Sequence, residues 1–341
     1  MEIRELGEFK LIERILRQFK TDSPDVIKGI GDDASVTRLD DSRCLLTTTD
    51  MLLEGIHFSL LYVPAYLLGK KAVSVSLSDI AAMGGMPKFL LTSVAVPGNI
   101  STEFMDLFYR GVKERADEFS MPLIGGNTSS SNGGVIVEVI VIGEALTAEV
   151  VYRHGAKPGD IIYTTGFLGD SALGLKIWKA RGDKPVTDPF MRDAMLEHID
   201  PVPRVKEGRL IAERKIATAM TDISDGLILD LRHLADESGV GARVYVSEIP
   251  LSTAMKRHII NNPDGIMLSL TGGEDYELLF TAPPDMKTMI EELSKEVNLP
   301  ITAIGEMVQI EEGLKVIDKE GAELKIFNEG FEHFKSYENQ N

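Results

Sequence analysis

The sequence holds a single cysteine, Cys44. No disulfide can form within the chain, which fits a reducing compartment. Cys44 lies in a strand-like run with Leu45 and Leu46 and reads as a small core residue, not a reactive thiol. Long apolar runs are also lacking. No stretch approaches the roughly 18 residues that a membrane-spanning helix needs. The opening Met1-Glu2-Ile3-Arg4-Glu5 has no basic region followed by an apolar one, so no signal peptide is expected. The chain reads as cytoplasmic, with no membrane partner. Basic residues are in deficit: 36 Lys and Arg stand against 53 Asp and Glu, for a formal net charge of -17. A nucleic-acid binder needs a basic face to displace counterions, so nucleic acid is not an expected partner. Phosphate ligands remain compatible with such a chain when cations stand between.

Several common site signatures are missing. There is no Gly-x-x-x-x-Gly-Lys-Ser/Thr loop. Gly169-Asp170-Ser171-Ala172-Leu173-Gly174 is one residue too long for a Gly-x-Ser-x-Gly nucleophile elbow. The six histidines form no His-Glu-x-x-His, and one cysteine cannot build a structural zinc site. Gly29-Ile30-Gly31-Asp32-Asp33-Ala34 fits the relaxed dinucleotide fingerprint only formally. Two carboxylates would sit where a pyrophosphate must meet helix amides, and the following residues 35–39 read as strand.

What is present is globular. Hydrophobic residues make up 43% of 341 residues, enough for two compact domains with sizeable cores. Phe9, Ile12, Ile15, Leu16 and Phe19 recur at helical spacing, so the chain opens with an amphipathic helix. Residues 44–48 read as a strand ending at Asp50. Pro64 suits the first position of a helix that runs to Met83 and is stopped by Gly84-Gly85-Met86-Pro87. Strand-like residues 89–96 precede a helix capped by Ser101 and reaching about Phe119. The β-branched run 135–142 reads as strand. A turn-rich join at 151–160 places a domain boundary near residue 147, giving domains 1–147 and 148–341. The second half mixes strands (160–165, 242–246, 276–281, 301–307) with helices (168–181, 203–214, 226–238, 285–296). Several strands lie close in sequence and suit antiparallel pairing, so the expected class is α+β.

The chemistry resides in short acidic motifs bordered by glycine. They are Gly31-Asp32-Asp33-Ala34, Thr47-Thr48-Thr49-Asp50, Leu77-Ser78-Asp79-Ile80-Ala81-Ala82-Met83-Gly84, Gly125-Gly126-Asn127-Thr128, Asp222-Ile223-Ser224-Asp225-Gly226 and Gly272-Gly273-Glu274-Asp275-Tyr276-Glu277. Any one alone is an ordinary turn or helix cap. Asp79 differs, because it interrupts an otherwise apolar helix and needs a strong partner there. If several of these carboxylates converge, two like charges 4 Å apart repel by roughly 4 kcal/mol at an effective dielectric of 20. A cation would then be needed, and hard oxygen ligands select magnesium, which bridges to phosphates. Neighbouring glycines let backbone amides approach phosphate oxygens. The inferred chemistry is metal-assisted phosphoryl transfer.

In this order, the motifs carry a specific likeness. Gly7-Glu8-Phe9, the acidic motifs above, Gly55-Ile56-His57-Phe58, Gly155-Ala156-Lys157-Pro158-Gly159-Asp160 and the closing Gly330-Phe331-Glu332-His333-Phe334 together resemble the thiamine-monophosphate kinase family. That family shares a superfamily with aminoimidazole ribonucleotide synthetase and selenophosphate synthetase. The resemblance implies ATP-dependent phosphorylation of thiamine monophosphate to thiamine diphosphate with several magnesium ions. It implies two α/β domains, the N-terminal one binding magnesium and ATP and giving strands to an intersubunit barrel in a homodimer. By motif match, Asp33, Thr48, Thr49, Asp50, Asp79, Asp222 and Asp225 are the expected magnesium ligands, with Asn127 as a weaker metal position. Tyr109, Gly126, Asn127, Arg153 and Ser224 are the expected nucleotide contacts, and His57, Glu274 and Phe331 the expected substrate contacts. The family usually has Gly-Gly-Asp-Thr where this chain has Gly125-Gly126-Asn127-Thr128, so Asn127 replaces a metal-binding carboxylate with an amide. Two other readings are carried beside this one: a sister enzyme of purine-pathway synthetase type, and a non-catalytic magnesium–nucleotide-binding protein. Selenophosphate synthesis is disfavoured because it needs a reactive Cys or selenocysteine in a glycine-rich N-terminal segment.

Overall fold

The computed structural model describes residues 2–19, 23–182 and 184–334. Among the described residues, twelve strands form two six-stranded sheets. The first contains β1 (Val26–Lys28), β2 (Ser35–Arg38), β3 (Arg43–Leu53), β4 (Met86–Val96), β5 (Leu123–Ser130) and β6 (Ile136–Leu146), in the order β1-β2-β3-β6-β4-β5. Only its β4–β5 pair is parallel. The second contains β7 (Ile161–Thr165), β8 (Ala219–Asp222), β9 (Gly241–Tyr245), β10 (Leu278–Ala282), β11 (Ile301–Val308) and β12 (Leu314–Ile317), in the order β12-β9-β11-β7-β10-β8. Here only β12–β9 is parallel. Mainly antiparallel sheets with segregated helices make an α+β fold, as the close spacing of strands in sequence led one to expect. No helix among the described residues is long and apolar enough to cross a membrane.

The helix Ala65–Ala82 joins the two halves. Its sequence is apolar on all sides rather than along one stripe, and correspondingly fourteen of its residues are buried. One flank lies on β3 and β6, another on the helix Thr102–Glu118, and another on the helix Val205–Glu213 and on β8. Two glycines make the Thr102–Glu118 contact possible. A Cβ on Gly69 would stand 2.1 Å from the Phe108 carbonyl, and one on Gly111 would stand 1.9 Å from that of Tyr66. Backbones this close tolerate no side chain between them.

Differences from the sequence expectations are local and have physical causes. The strand expected to end at Asp50 continues to Leu53, because β6 supplies an unbroken antiparallel partner from Arg43 to Leu53. Pro64 stands one residue before the helix as its N-cap. The opening helix Glu8–Leu16 stops short of Phe19 and buries none of its residues. Strand β5 was not expected, since Gly125, Gly126 and Asn127 have low strand propensity; parallel pairing with β4 overrides that local preference. The helices Pro189–Ile199 and Thr253–Asn261 were likewise not foreseen.

Candidate active site

The acidic motifs meet where the two sheets approach the central helix. Strand alternation fixes the contribution of β3: Thr48 and Asp50 face the helix Ala65–Ala82, while Thr49 faces the other way. The Thr48 hydroxyl donates to Asp79 Oδ2. Thr49 instead donates to Glu138 Oε1 at 3.2 Å on the exposed face. Asp33 comes from the loop before β2, Asp79 from the penultimate turn of the helix, and Asp222 from the last position of β8. Carboxylate oxygens of Asp33, Asp79 and Asp222 all lie within 4.8 Å of one another. Asp50 lies close enough to Ser76 and Asp79 for both to act on its carboxyl.

The electrostatics are those of a cation site. Burial, followed by the charges of Asp50, Asp222 and Asp33, pushes the Asp79 carboxyl well above the ordinary carboxylate range. Burial and then Asp33 push Asp222 up to about 7. Burial also raises Asp50. Asp33 Oδ2 and Asp50 Oδ2 are buried and accept no hydrogen bond among the described residues. Hard, closely spaced, partly unpaired oxygens fit a divalent cation of the magnesium type. The surrounding donors hold the outer oxygens: Ser78 Oγ to Asp222 Oδ2 at 2.5 Å and Thr221 Oγ1 to Asp33 Oδ1 at 2.8 Å.

Arg153 and the loop after β8 close one side. Arg153 donates to Asp33 Oδ1 through Nη2 at 2.6 Å, and its backbone N–H donates to Asp32 Oδ1 at 3.2 Å. Asp32, pushed up to about 6 by burial and by Asp33, is part of the same charge system. Backbone amides of Ser224, Asp225 and Gly226 all donate to Asp230 Oδ2, at 3.1, 3.1 and 3.0 Å. That carboxylate, on the first turn of the helix Leu227–Ser238, shapes the loop that carries Ser224 and Asp225. Asp225 lies apart from the Asp33–Asp79–Asp222 cluster. After burial, the Glu8 charge is the largest influence that pushes it up, to about 7.

His57, Glu274 and Phe331 are the expected substrate contacts. His57 Nδ1 accepts from the Leu53 amide at 3.0 Å, and its ring stands 6.5 Å from Phe331. The Phe331 amide donates to the Asp225 carbonyl at 2.9 Å, and the Glu274 amide to the Ser224 carbonyl at 2.7 Å. These bonds tie Phe331 and Glu274 to the loop that carries Ser224 and Asp225. His57 and Glu274 both border a cavity of about 580 Å³, together with Tyr62, Trp178 and His198.

Tyr109, Gly126 and Asn127 stand elsewhere, at the β5 edge. Sheet register aligns Asp50, Val139, Thr92 and Gly126 in one row, so Gly126 is three strands from Asp50, about 14 Å at ordinary strand spacing. The Tyr109 hydroxyl is 3.4 Å from that of Thr92 in the same row. A Cβ on Gly126 would stand 1.9 Å from the Thr92 carbonyl, so only glycine permits this pairing. Asn127 Oδ1 accepts from the next amide, Thr128, at 3.0 Å. Within one chain, therefore, the expected nucleotide contacts fall into two groups, Arg153 with Ser224 and Tyr109 with the β5 pair.

Sequence reasoning missed Ser78, Asp32, Thr221, Asp230 and Lys71. Ser78 and Asp32 adjoin residues that were singled out, and Lys71 breaks the same apolar helix as Asp79, so a signal existed for these three. Thr221 and Asp230 had none beyond their nearness to Asp222 and Gly226.

The geometry can be set beside known proteins. Residues 31–145 match the model for the AIR synthase related protein N-terminal domain, and residues 157–317 that for its C-terminal domain. The thiamine-monophosphate kinase of Salmonella typhimurium is 36% identical over 329 residues, 96% of this chain and 98% of that protein. That of Aquifex aeolicus is 37% identical over 338 residues, 98% of this chain and all of that protein. The chain belongs to the thiamine-monophosphate kinase family. A solved structure of AaThiL complexed with AMPPCP and TMP superposes with a TM-score of 0.84 at 35% identity, covering 98% of this chain and 99% of that one. Thiamine-monophosphate kinase from Stenotrophomonas maltophilia superposes at 0.75 and 33% identity, covering 90% and 95%. Against this family background the acidic cluster and the adjoining cavity lie within the matched regions.

Proposed function

We propose that this protein transfers the γ-phosphoryl group of ATP to the phosphate of thiamine monophosphate, giving ADP and thiamine diphosphate. The observation that carries this reading is the convergence of Asp33, Asp79 and Asp222, with Glu274, which borders a cavity with His57, bonded through its amide to Ser224 two residues after Asp222. A phosphate oxygen of the acceptor forms the new bond to the γ-phosphorus while the bond from that phosphorus to the bridging oxygen of ADP breaks. The acceptor oxygen is already ionised, so no covalent enzyme intermediate and no strong base are required. Positioning and charge neutralisation supply the catalysis.

Asp33, Asp50, Asp79 and Asp222 would hold magnesium, with Thr48, Thr49 and Asp225 as further ligands. Bound there, the metal would neutralise phosphate charge that an acidic protein could not otherwise accept. Arg153 offers charged donors to a phosphate, and Ser224, Tyr109, Gly126 and Asn127 would contact nucleotide. Glu274 accepts from an amino group of the pyrimidine, His57 holds the same substrate, and Phe331 stacks on a ring.

The chain works as a cytoplasmic homodimer of two-domain subunits, divided into residues 1–147 and 148–341, with β5 contributing to a barrel shared by two copies. Its support is β5 itself, an edge strand whose eight residues are all exposed, including Leu123 and Ile124. Unpaired edges of this kind recruit partners. Sedimentation should return a mass of twice the subunit; a monomer would overturn the dimer.

The assay for function uses purified protein, ATP and magnesium. Thiamine diphosphate and ADP should form only when thiamine monophosphate is added. ADP formation with a different acceptor would point to a sister enzyme, and tight nucleotide binding without turnover to a binding protein.

A further inference from the structure

Lys71 is a charged residue inside the helical core, in contact with two residues that border the cavity, His198 and Glu274. Its side chain is wholly buried, and the other buried residues of its helix are apolar, glycine or serine. Its ammonium group donates to the His198 carbonyl at 2.8 Å and lies 3.0 Å from Glu274 Oε1. His198 Nδ1 approaches the other carboxylate oxygen, Oε2, at 3.2 Å. A buried ammonium needs an anion beside it, and Glu274 is the carboxylate that Lys71 meets among the described residues. The Glu274 backbone is held just as firmly. It has φ +66, a conformation that costs a non-glycine residue about 1 kcal/mol or more, and its amide is bonded to Ser224. Both ends of this residue are thus fixed, and its carboxylate borders the cavity.

The cavity walls define what can lie against that carboxylate. Tyr62 and Trp178 stack with ring centroids 5.5 Å apart and an interplanar angle of 20°. A flat ring suits such a wall, and a carboxylate at its edge accepts hydrogen bonds but donates none.

We propose that Lys71 is a positioning residue for acceptor selection: by fixing Glu274 as an acceptor-only carboxylate, it makes the cavity select flat nitrogen heterocycles that carry an amino donor over those carrying a carbonyl or hydroxyl. The inference rests on the reading above, in which Glu274 contacts the acceptor. Without the ammonium, the carboxylate loses the cation that holds Oε1, and the cavity loses an acceptor fixed in direction. A site built for one hydrogen-bond pattern rejects the other strongly.

The test compares kcat/KM for thiamine monophosphate with that for its analogue bearing a ring carbonyl in place of the amino group. The two acceptors are measured on one preparation, so the ratio is independent of the fraction of active enzyme. The parent should favour the amino compound by about 100-fold or more. Lys71→Met should lower that ratio at least tenfold, through KM for the acceptor, while KM for ATP moves by less than about threefold. In a Glu274→Gln background the same substitution should change the ratio by less than about threefold, because no carboxylate remains to be held. Lys71→Gln, which retains a donor in the same space, gives the same direction of change and serves if Lys71→Met does not fold. A ratio unchanged by either substitution, or changed equally in both backgrounds, overturns the role of Lys71. A parent enzyme that fails to phosphorylate thiamine monophosphate overturns the functional reading itself.

Discussion

Arg153 places two donors on a single oxygen of Asp33, Nη2 at 2.6 Å and Nε at 3.1 Å. The other oxygen, Oδ2, is left buried and without a hydrogen bond among the described residues. The arrangement turns one lone-pair face of Asp33 toward the guanidinium and frees the other for the acidic cluster. Arg153 is thereby a positioning group for Asp33 as well as a donor available to phosphate. Arg153→Lys keeps the charge but cannot reproduce the paired donors. Loss of a charged hydrogen bond costs about 1.5–3 kcal/mol, so kcat/KM for ATP should fall roughly ten- to hundredfold. Steady-state kinetics check this; a value within about threefold of the parent would remove Arg153 from the machinery.

The raised acids predict an unusual dependence of stability on pH. Asp222 and Asp225 sit near 7 in the folded chain against an ordinary 3.8, so between those values the folded state binds more protons than the unfolded state. Their contribution to stability is full below about 4 and is lost as pH rises through 7. Magnesium competes with those protons. The rise in Tm on adding magnesium should therefore grow from pH 5 to pH 8, as read by thermal melts at matched ionic strength. A magnesium shift that is flat or shrinks with pH would contradict the cation site.

Asp79→Asn should separate activity from stability. The amide removes an ionisable group from the buried cluster while keeping the shape that meets Thr48. Without magnesium the variant should melt above the parent where pH is high enough to ionise the raised Asp79 carboxyl, and close to it at lower pH. Its magnesium-dependent turnover should fall below detection. A variant that retains turnover would dissociate Asp79 from catalysis.

Asn127→Asp restores the carboxylate usual in the family to an exposed position of β5. It should lower the magnesium concentration needed for half-maximal rate by several-fold, the scale expected when one ligand charge is added. The readout is a magnesium titration of the initial rate. An unchanged or higher requirement in the variant would show that this position holds no metal.

The acidic part of the candidate site was readable because its motifs are local. Gly31-Asp32-Asp33, Thr48-Thr49-Asp50 and Ser78-Asp79 each announce an acid in a context that needs explanation, and the fold brings Asp33, Asp50, Asp79 and Asp222 together. Helix Thr102–Glu118 was readable through its Ser101 cap, whose hydroxyl accepts from Phe104 at 3.1 Å. Other features arise only from tertiary contact. The direction of Thr49 follows from the pairing of β3 with β6, and no residue near Thr49 encodes it. Strand β5 exists because β4 offers it a parallel partner. His198, Tyr62 and Trp178 come from separate helices and loops, and nothing in their local sequence links them to Glu274. The charge of Lys71 was visible, but its meaning depended on a loop some two hundred positions later.

The acidic cluster also straddles a seam. Asp33, Asp50 and Asp79 come from the part of the chain that builds the first sheet, and Asp222 ends a strand of the second. A cation bridging these oxygens is a reversible cross-link between the two layers, and its binding free energy adds directly to the free energy of docking them. Chelation would loosen the seam, opening it to proteases before either sheet melts. The same linkage runs in reverse: a molecule that wedges the layers apart dismantles the metal site without touching a single ligand.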